Sequence, residues 1–310
     1  QGTVAPICFS VRSARRIGSA LRRFGPDVVH AHEPLSPSAG MLATIRSAAP
    51  VVGTFHAFTE RSALLTTAAP VLRPVWRRLA IRIAVSEAAA AFVGHRFSGP
   101  VRIVPNGCDV DRFGAAQPAP GLPEGRRLLW VGRLDPQKGF GVALAAVERL
   151  MATHADVMLV VVGDGRDRTV LDRMRREVRS RVRLVGSVPY DELPRYHAAC
   201  ELFIAPSLGQ ESFGMVLVEA MAAGLPVVAT DIPGYREVVQ NKTDGLLVPP
   251  NDPDALAAAV GRILTDPALA GRLSEAVRAR AERYRWRTVV DEIEGIYAEA
   301  LASAGRPTRR

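Results

Sequence analysis

The chain has 310 residues, 48% of them hydrophobic and 23% charged, which is enough apolar material for more than one core and predicts two domains. No apolar run approaches the roughly 18–20 residues of a bilayer-spanning helix, so a transmembrane helical bundle is excluded. Cys8, Cys108 and Cys200 form no CxxC pair and no metal-ligand spacing, which excludes a disulfide scaffold or zinc module and reads as free thiols in a reducing compartment.

Charge is distributed unevenly. The chain carries 40 Lys+Arg against 31 Asp+Glu; the first hundred residues hold 12 Arg, no Lys and 4 acids, while the other 210 hold 28 basic and 27 acidic residues. An excess confined to the first third points to an anionic partner for that part, against the competing reading of a solvated basic face. Nucleic acid is the weakest such partner, because the basic third has few exposed-looking aromatics and no recognised module.

In chain order, "SVRSARRIGSALRRFG" places Arg12, Arg15, Arg16, Arg22 and Arg23 in a helix-compatible run, with Ile17, Ala20, Leu21 and Phe24 as an apolar stripe. Such a stripe can lie on a membrane or pack on a sheet, and the two are compatible. "PDVVHAH", "APVVGTFHA", "IRIAVS" and "VRIVPNG" then read as strands. His30 and His32 share one strand face, but two ligands are too few for a closed metal site, and no metal is expected. Residues 107–125, rich in Gly and Pro, read as a linker.

Six more strands follow: "RRLLWVGRL", "DVMLVVVGDG", "RVRLVGSV", "CELFIAPS", "GLPVVATD" and "DGLLVPP". Many are apolar throughout, as parallel strands covered on both faces are. Helical patterns fill the gaps at 140–153, 167–179 and 253–284. The rhythm predicts α/β architecture: two Rossmann-like, doubly wound domains, 1–106 and 126–284, with ligands at the carboxyl ends of their strands and a cleft between them. No Gly-rich turn opens the first domain and the first residue is Gln, which predicts a chain clipped at its amino end.

The chemistry concentrates in two stretches. "CELFIAPS–LGQESFG–MVLVEAMAAG" reads as strand, loop and helix, beginning near Ser212 to Gly214 and ending at Gly224. Its first amides form an anion site, and Gly214 permits close backbone approach. Glu211 lies at the helix mouth and Glu219 roughly one and a half turns in. Two carboxylates flanking an anion site suit a nucleotide-sugar: diphosphate on the helix start, one acid on sugar hydroxyls, the other on ribose hydroxyls. In "LLWVGRLDPQKGF", Arg133 and Lys138 follow a buried strand, and two cations there suit a diphosphate leaving group. A glycoside hydrolase using Glu211 and Glu219 needs carboxyls roughly 5–10 Å apart and leaves both cations without a purpose.

"GRLDPQKG" followed by E-x₇-E at Glu211 and Glu219 resembles the retaining glycosyltransferases of the GT-B fold in family four, and the likeness covers essentially the whole chain. The resemblance implies that Arg133 and Lys138 bind the diphosphate, that Glu211 contacts the transferred sugar and Glu219 the ribose, and that the backbone of Ser212, Phe213, Gly214 and Met215 cradles sugar and phosphate. "GSVPYDEL" is similar to the family's nucleobase loop, which implicates Val188, Pro189 and Tyr190. "TFH" matches the acceptor-side histidine, which makes His56, facing the helix motif across the cleft, a catalytic candidate with Glu211.

"VVHAHEPLSPSAGMLA", "TFHAFTE", "IVPNGCDVDRF" and "ESFGMVLVEAMAAG" resemble in particular the phosphatidylinositol mannosyltransferases of actinobacteria. That resemblance implies GDP-mannose as donor, no cofactor, a lipid acceptor, and docking of the basic helix on anionic phospholipid at the cytoplasmic membrane face. It also implies that residues 285–310 form a helix crossing back to the first domain, and that about sixty residues precede the first one here. The alternatives are a UDP-sugar-dependent transferase acting on a polysaccharide or small glycoside, and a non-catalytic nucleotide-sugar-binding fragment.

Overall fold

The computed structural model describes residues 10–58 and 63–305, so Cys8 and the segment Thr59–Glu60 of the histidine motif lie outside the described residues. The chain divides into two compact units, Gln1–Asn106 with Val289–Arg310, and Gly107–Thr288.

The amino-terminal unit is built on a parallel sheet of β1 (Val29–His32), β2 (Val51–Phe55), β3 (Leu79–Ala84) and β4 (Arg102–Ile103), in that spatial order. Strand β2 is buried along its whole length. Alternation along it divides the core in two. Val51 and Phe55 join Trp76, Leu79 and Phe97 on one face, and Val52 joins Ile83 and Val104 on the other. The second face is closed by Val289, Ile296 and Ala300 of the helix Trp286–Ser303.

The basic run folds as the helix Val11–Phe24, capped by Ser10 and ended by Gly25 in the left-handed region. The residues that bury are Ala14 and Gly18, packed on the helix Ala39–Arg46, because small side chains let two helices approach closely. The expected stripe therefore divides: Ile17 and Leu21 are half-buried beside Ala14 and Gly18, whereas Ala20 and Phe24 are exposed, Phe24 at 84%. All five arginines of the run are exposed.

The carboxyl-terminal unit holds β5 (Arg126–Val131), β6 (Val157–Val162), β7 (Val182–Gly186), β8 (Leu202–Ala205), β9 (Val227–Thr230) and β10 (Leu246–Val248). All pairs are parallel, in the order β10-β9-β8-β5-β6-β7. The order reverses between β5 and β8, so their carboxyl ends part and leave a crevice.

Three expected segments differ. Residues 107–125 are not simply a linker: Val110–Gly114 forms a helix whose Val110 and Phe113 are buried, and Cys108 bonds through its backbone to Tyr284 and Trp286. The pattern at 167–179 breaks into Arg168–Asp172 and Arg176–Arg179, with Arg175 between them out of helical conformation at ψ 152° and paired with Glu148 at 3.0 Å. The pattern at 253–284 divides at Asp266, which ends Pro253–Thr265 and caps Pro267–Ala281, where Pro267 supplies no amide to continue the first helix.

Candidate functional site

In the carboxyl-terminal unit the loops after β5 and β8 meet at the strand-order reversal. The Leu208 amide donates to the Gln137 carbonyl at 2.8 Å, and the Gln137 side-chain amide to Gln210 at 3.0 Å. Gly139 sits at φ +69°, and a Cβ there would fall 1.8 Å from the Pro206 carbonyl oxygen, so only glycine lets the two backbones touch.

This contact joins Lys138 to Glu211. The ammonium and Oε1 of the carboxylate form a short ion pair, and both side chains are largely buried. The same oxygen accepts from the Ser207 hydroxyl at 3.2 Å, whose oxygen lies 2.9 Å from that of Tyr235. Thr230 fixes the turn by donating to the Ser207 carbonyl at 2.6 Å. Arg133 is placed on the same loop, 64% exposed and paired with Asp135 at 3.0 Å.

The helix Met215–Ala222 starts just beyond Glu211. Gly214 is its N-cap at φ +93°, and no side chain caps the first turn, an arrangement that suits an anion at the helix start. A Cβ on Gly214 would meet the Tyr235 ring at 2.7 Å, so the close approach that this glycine permits is to an aromatic ring. Phe213 is buried edge-on against Tyr284, which leaves that position only its backbone to offer; Ser212 and Met215 are half-buried.

Glu219 lies on the fifth residue of the helix, 6% exposed. Burial pushes its carboxyl up to about 7, and a hydrogen bond from Tyr190 partly opposes this. The folded chain therefore holds that proton more tightly than the unfolded chain, and the associated stability is lost as pH rises from 4.5 through about 7. Val188, Pro189 and Tyr190 follow β7, and only Tyr190 has a described contact with an acid of the site. Glu211 and Glu219 are thus held by different partners, one by a cation and a serine, the other by a phenol.

In the amino-terminal unit, His56 follows β2 directly. Its Nε2 lies 2.7 Å from His32 Nδ1, with the rings stacked at 5.0 Å. His30 stacks on His32 at 4.6 Å and is bonded on both nitrogens, to Tyr297 at 2.7 Å and Thr54 at 2.6 Å. Glu33, in the left-handed region at φ 49°, accepts the amides of His56 and Ala57 at 2.5 and 2.7 Å. The strand end that carries His56 is thereby clamped. Burial first, then the neighbouring imidazoles, hold His30 and His56 down at about 4, so both rings are neutral at pH 7. Among the described residues no group of three or more His, Cys, Asp or Glu is arranged to hold a metal ion.

Sequence reasoning missed Ser207, Thr230 and Tyr235, which orient Glu211, and the roles of His32 and Glu33 in holding His56. The sequence "VVHAHE" carried the second signal, since the acid follows directly on the two histidines of one strand face. Nothing in the sequence links Tyr235 to Ser207.

The profile of the family described as Glycosyl transferases group 1 matches residues 116–280, and that of Glycosyltransferase Family 4 matches residues 4–112. The chain is 37% identical over 306 residues to a phosphatidyl-myo-inositol mannosyltransferase of Mycolicibacterium smegmatis, covering 98% of this chain and 79% of that one. It is 36% identical over 310 residues to the protein of that name in Mycobacterium tuberculosis, covering 98% and 82%. Among solved structures it is similar to a glycosyltransferase from Rickettsia africae (TM-score 0.79, 21% identity, 97% of this chain and 83% of that one). It is also similar to HepE from Anabaena in complex with UDP (TM-score 0.79, 23% identity, 92% and 82%).

The stacked imidazoles yield a direct expectation. Because the folded values of His30 and His56 lie below 6.5, the stability these two rings contribute is present above that pH and is lost as pH falls toward about 4. A histidine-selective NMR titration should place the midpoints of His30 and His56 near 4. A His56 midpoint at the ordinary value of 6.5 would mean that the ring is solvated and the stack is not formed.

Proposed function

Since the chain belongs to the group 1 glycosyltransferases of family 4, with the GT-B fold, we propose that it is a retaining mannosyltransferase that moves mannose from GDP-mannose to a lipid of the phosphatidylinositol type. The observation that carries the reading is the junction of Lys138 and Glu211, made by the loops that leave β5 and β8 where the strand order reverses. The names of the mycobacterial relatives support the sugar and the acceptor.

In this reading the diphosphate lies on the amides that open the helix Met215–Ala222, with Arg133 and Lys138 as its counter-charges. Lys138 then exchanges part of its bond to Glu211 for phosphate oxygen. Glu211 accepts sugar hydroxyls, Glu219 accepts ribose hydroxyls, and Val188, Pro189 and Tyr190 flank the base. The bond between the anomeric carbon and the diphosphate oxygen breaks, and the charge left on that oxygen is met by the two cations and the helix amides. The acceptor hydroxyl forms its new bond from the face that the diphosphate leaves, and its proton passes to the departing phosphate oxygen. Configuration at the sugar is thus kept. His56, neutral and clamped at its strand end, serves the acceptor side. The reading assigns no metal or organic cofactor to the reaction.

The exposed arginines at 12, 15, 16, 22 and 23 provide the surface for anionic phospholipid, each contributing on the order of 1 kcal/mol near such a membrane. Val11 and Phe24, 69% and 84% exposed, add apolar contact. The protein would then act peripherally on the cytoplasmic face; among the described residues no helix is long and apolar enough to cross a membrane.

Calorimetric titration with GDP-mannose, UDP-glucose and UDP-N-acetylglucosamine should rank GDP-mannose tightest. Lys138→Ala should weaken donor binding roughly tenfold to a hundredfold. Glu211→Ala should retain nucleoside diphosphate but lower transfer by about 10²–10³. Equally poor binding of all three donors would sink the assignment. Because Glu219 must be ionised to accept two hydroxyls, GDP affinity should rise about tenfold between pH 6 and pH 8 and level off above that. Glu219→Gln should flatten that profile, and a flat wild-type profile would remove Glu219 from the ribose. Co-sedimentation with vesicles containing phosphatidylinositol should decline steeply with salt and fall further when Arg15, Arg16, Arg22 and Arg23 become Gln. Binding indifferent to salt and to lipid charge would reduce the run to a solvated face.

A further inference from the structure

A pocket of about 310 Å³ opens in the amino-terminal unit at the end of β2, with Phe55 and Ala57 in its lining. Phe55, at the carboxyl end of β2, forms part of its floor. Met41, Ala68 and Phe92, from the helices Ala39–Arg46, Ala63–Arg78 and Glu87–Gly94, line its walls. Protein interiors are packed to crystal density, and voids much larger than a water molecule are few. A cavity of this size is at the lower end of small-molecule sites.

Its chemistry is one-sided. Among the described residues the lining is almost wholly aliphatic and aromatic, with Glu33 and Ser36 as its polar side chains. One oxygen of the Glu33 carboxylate already accepts the amides of His56 and Ala57, so the acid's charge is partly met from within the fold. A ligand rich in polar groups would find few partners here, and desolvating its groups would cost affinity. A hydrocarbon chain needs none and gains from leaving water.

Position supplies the other half of the argument. Ala57 and Glu33 line the pocket and also bracket His56 in space, one as its chain neighbour and the other through its amide. Whatever fills the pocket therefore lies against the main chain on which the histidine assigned to the acceptor is mounted. We propose that this pocket holds one acyl chain of the lipid acceptor, seating its head group at His56. The inference rests on the lipid-acceptor reading above.

The test fills the pocket from its wall. Ala68 is half-buried and has no part in the machinery assigned above. Ala68→Phe should raise the KM for long-chain phosphatidylinositol roughly tenfold, the effect of expelling about two methylenes. Transfer to deacylated glycerophosphoinositol and hydrolysis of the donor should be unchanged. Equal losses with both acceptors, or no loss with either, would overturn the proposal. In parallel, a fluorescent fatty acid such as parinaric acid should bind wild type saturably at one per chain, and should lose that binding in Ala68→Phe at an unchanged melting temperature. If that variant does not fold, Ala68→Leu serves with a smaller shift. Failure of wild type to transfer mannose to any acceptor would sink the mannosyltransferase reading, while probe binding still decides the pocket. Absence of saturable probe binding in wild type would end the pocket proposal even if transfer is robust.

Discussion

A contact between two main chains organises the carboxyl-terminal unit. Gly139 lies so close to the Pro206 carbonyl that no side chain fits between them, and this fastens the loop after β5 to the loop after β8. Parallel strands splay at a reversal of strand order, so these loops would otherwise diverge. Fastened together, they hold Lys138 and Glu211 as a pair and set Ser207 under the carboxylate. The charges of the site thus depend on a residue that has no side chain.

The amino-terminal unit solves a similar problem differently. Its strand end is held by an acid whose carboxylate accepts two successive amides, and by a stack of imidazoles bonded edge to edge. The arrangement suits neutral rings: a proton on one would be repelled by its neighbours and poorly solvated. A histidine kept neutral orients and accepts; it does not act as a charged anchor. In the proposed reading this separates its part from that of Arg133 and Lys138, which supply the positive charge.

Among the described residues the positions of the ten strands were legible in the sequence, because parallel strands covered on both faces are apolar runs with turn residues on either side. The placement of Arg133, Lys138, Glu211 and Glu219 near strand ends and a helix start was legible as well, because strand-to-loop and loop-to-helix transitions are marked locally by turn residues. What escaped was anything decided by packing over long separations. The break at Asp266 comes from a cap shared by two helices, and the one near Arg175 has no local marker in the sequence. The apolar side of the basic helix was read from Ile17, Ala20, Leu21 and Phe24, yet the residues buried against the neighbouring helix are Ala14 and Gly18. Tyr235, 28 residues from Ser207, and Tyr297, 267 residues from His30, left no local trace.

The helix Trp286–Ser303 has one more implication. From Val289 onward it completes the core of a unit whose other residues precede Gly107, with Ile296 and Ala300 covering Val52 and Ile83. During synthesis the ribosome therefore releases the whole of Gly107–Thr288, a continuous stretch able to fold as it emerges, before the first unit receives its last layer. The first unit must wait without the cover that Ile296 and Ala300 give to Val52 and Ile83, and its maturation is set by the arrival of this helix.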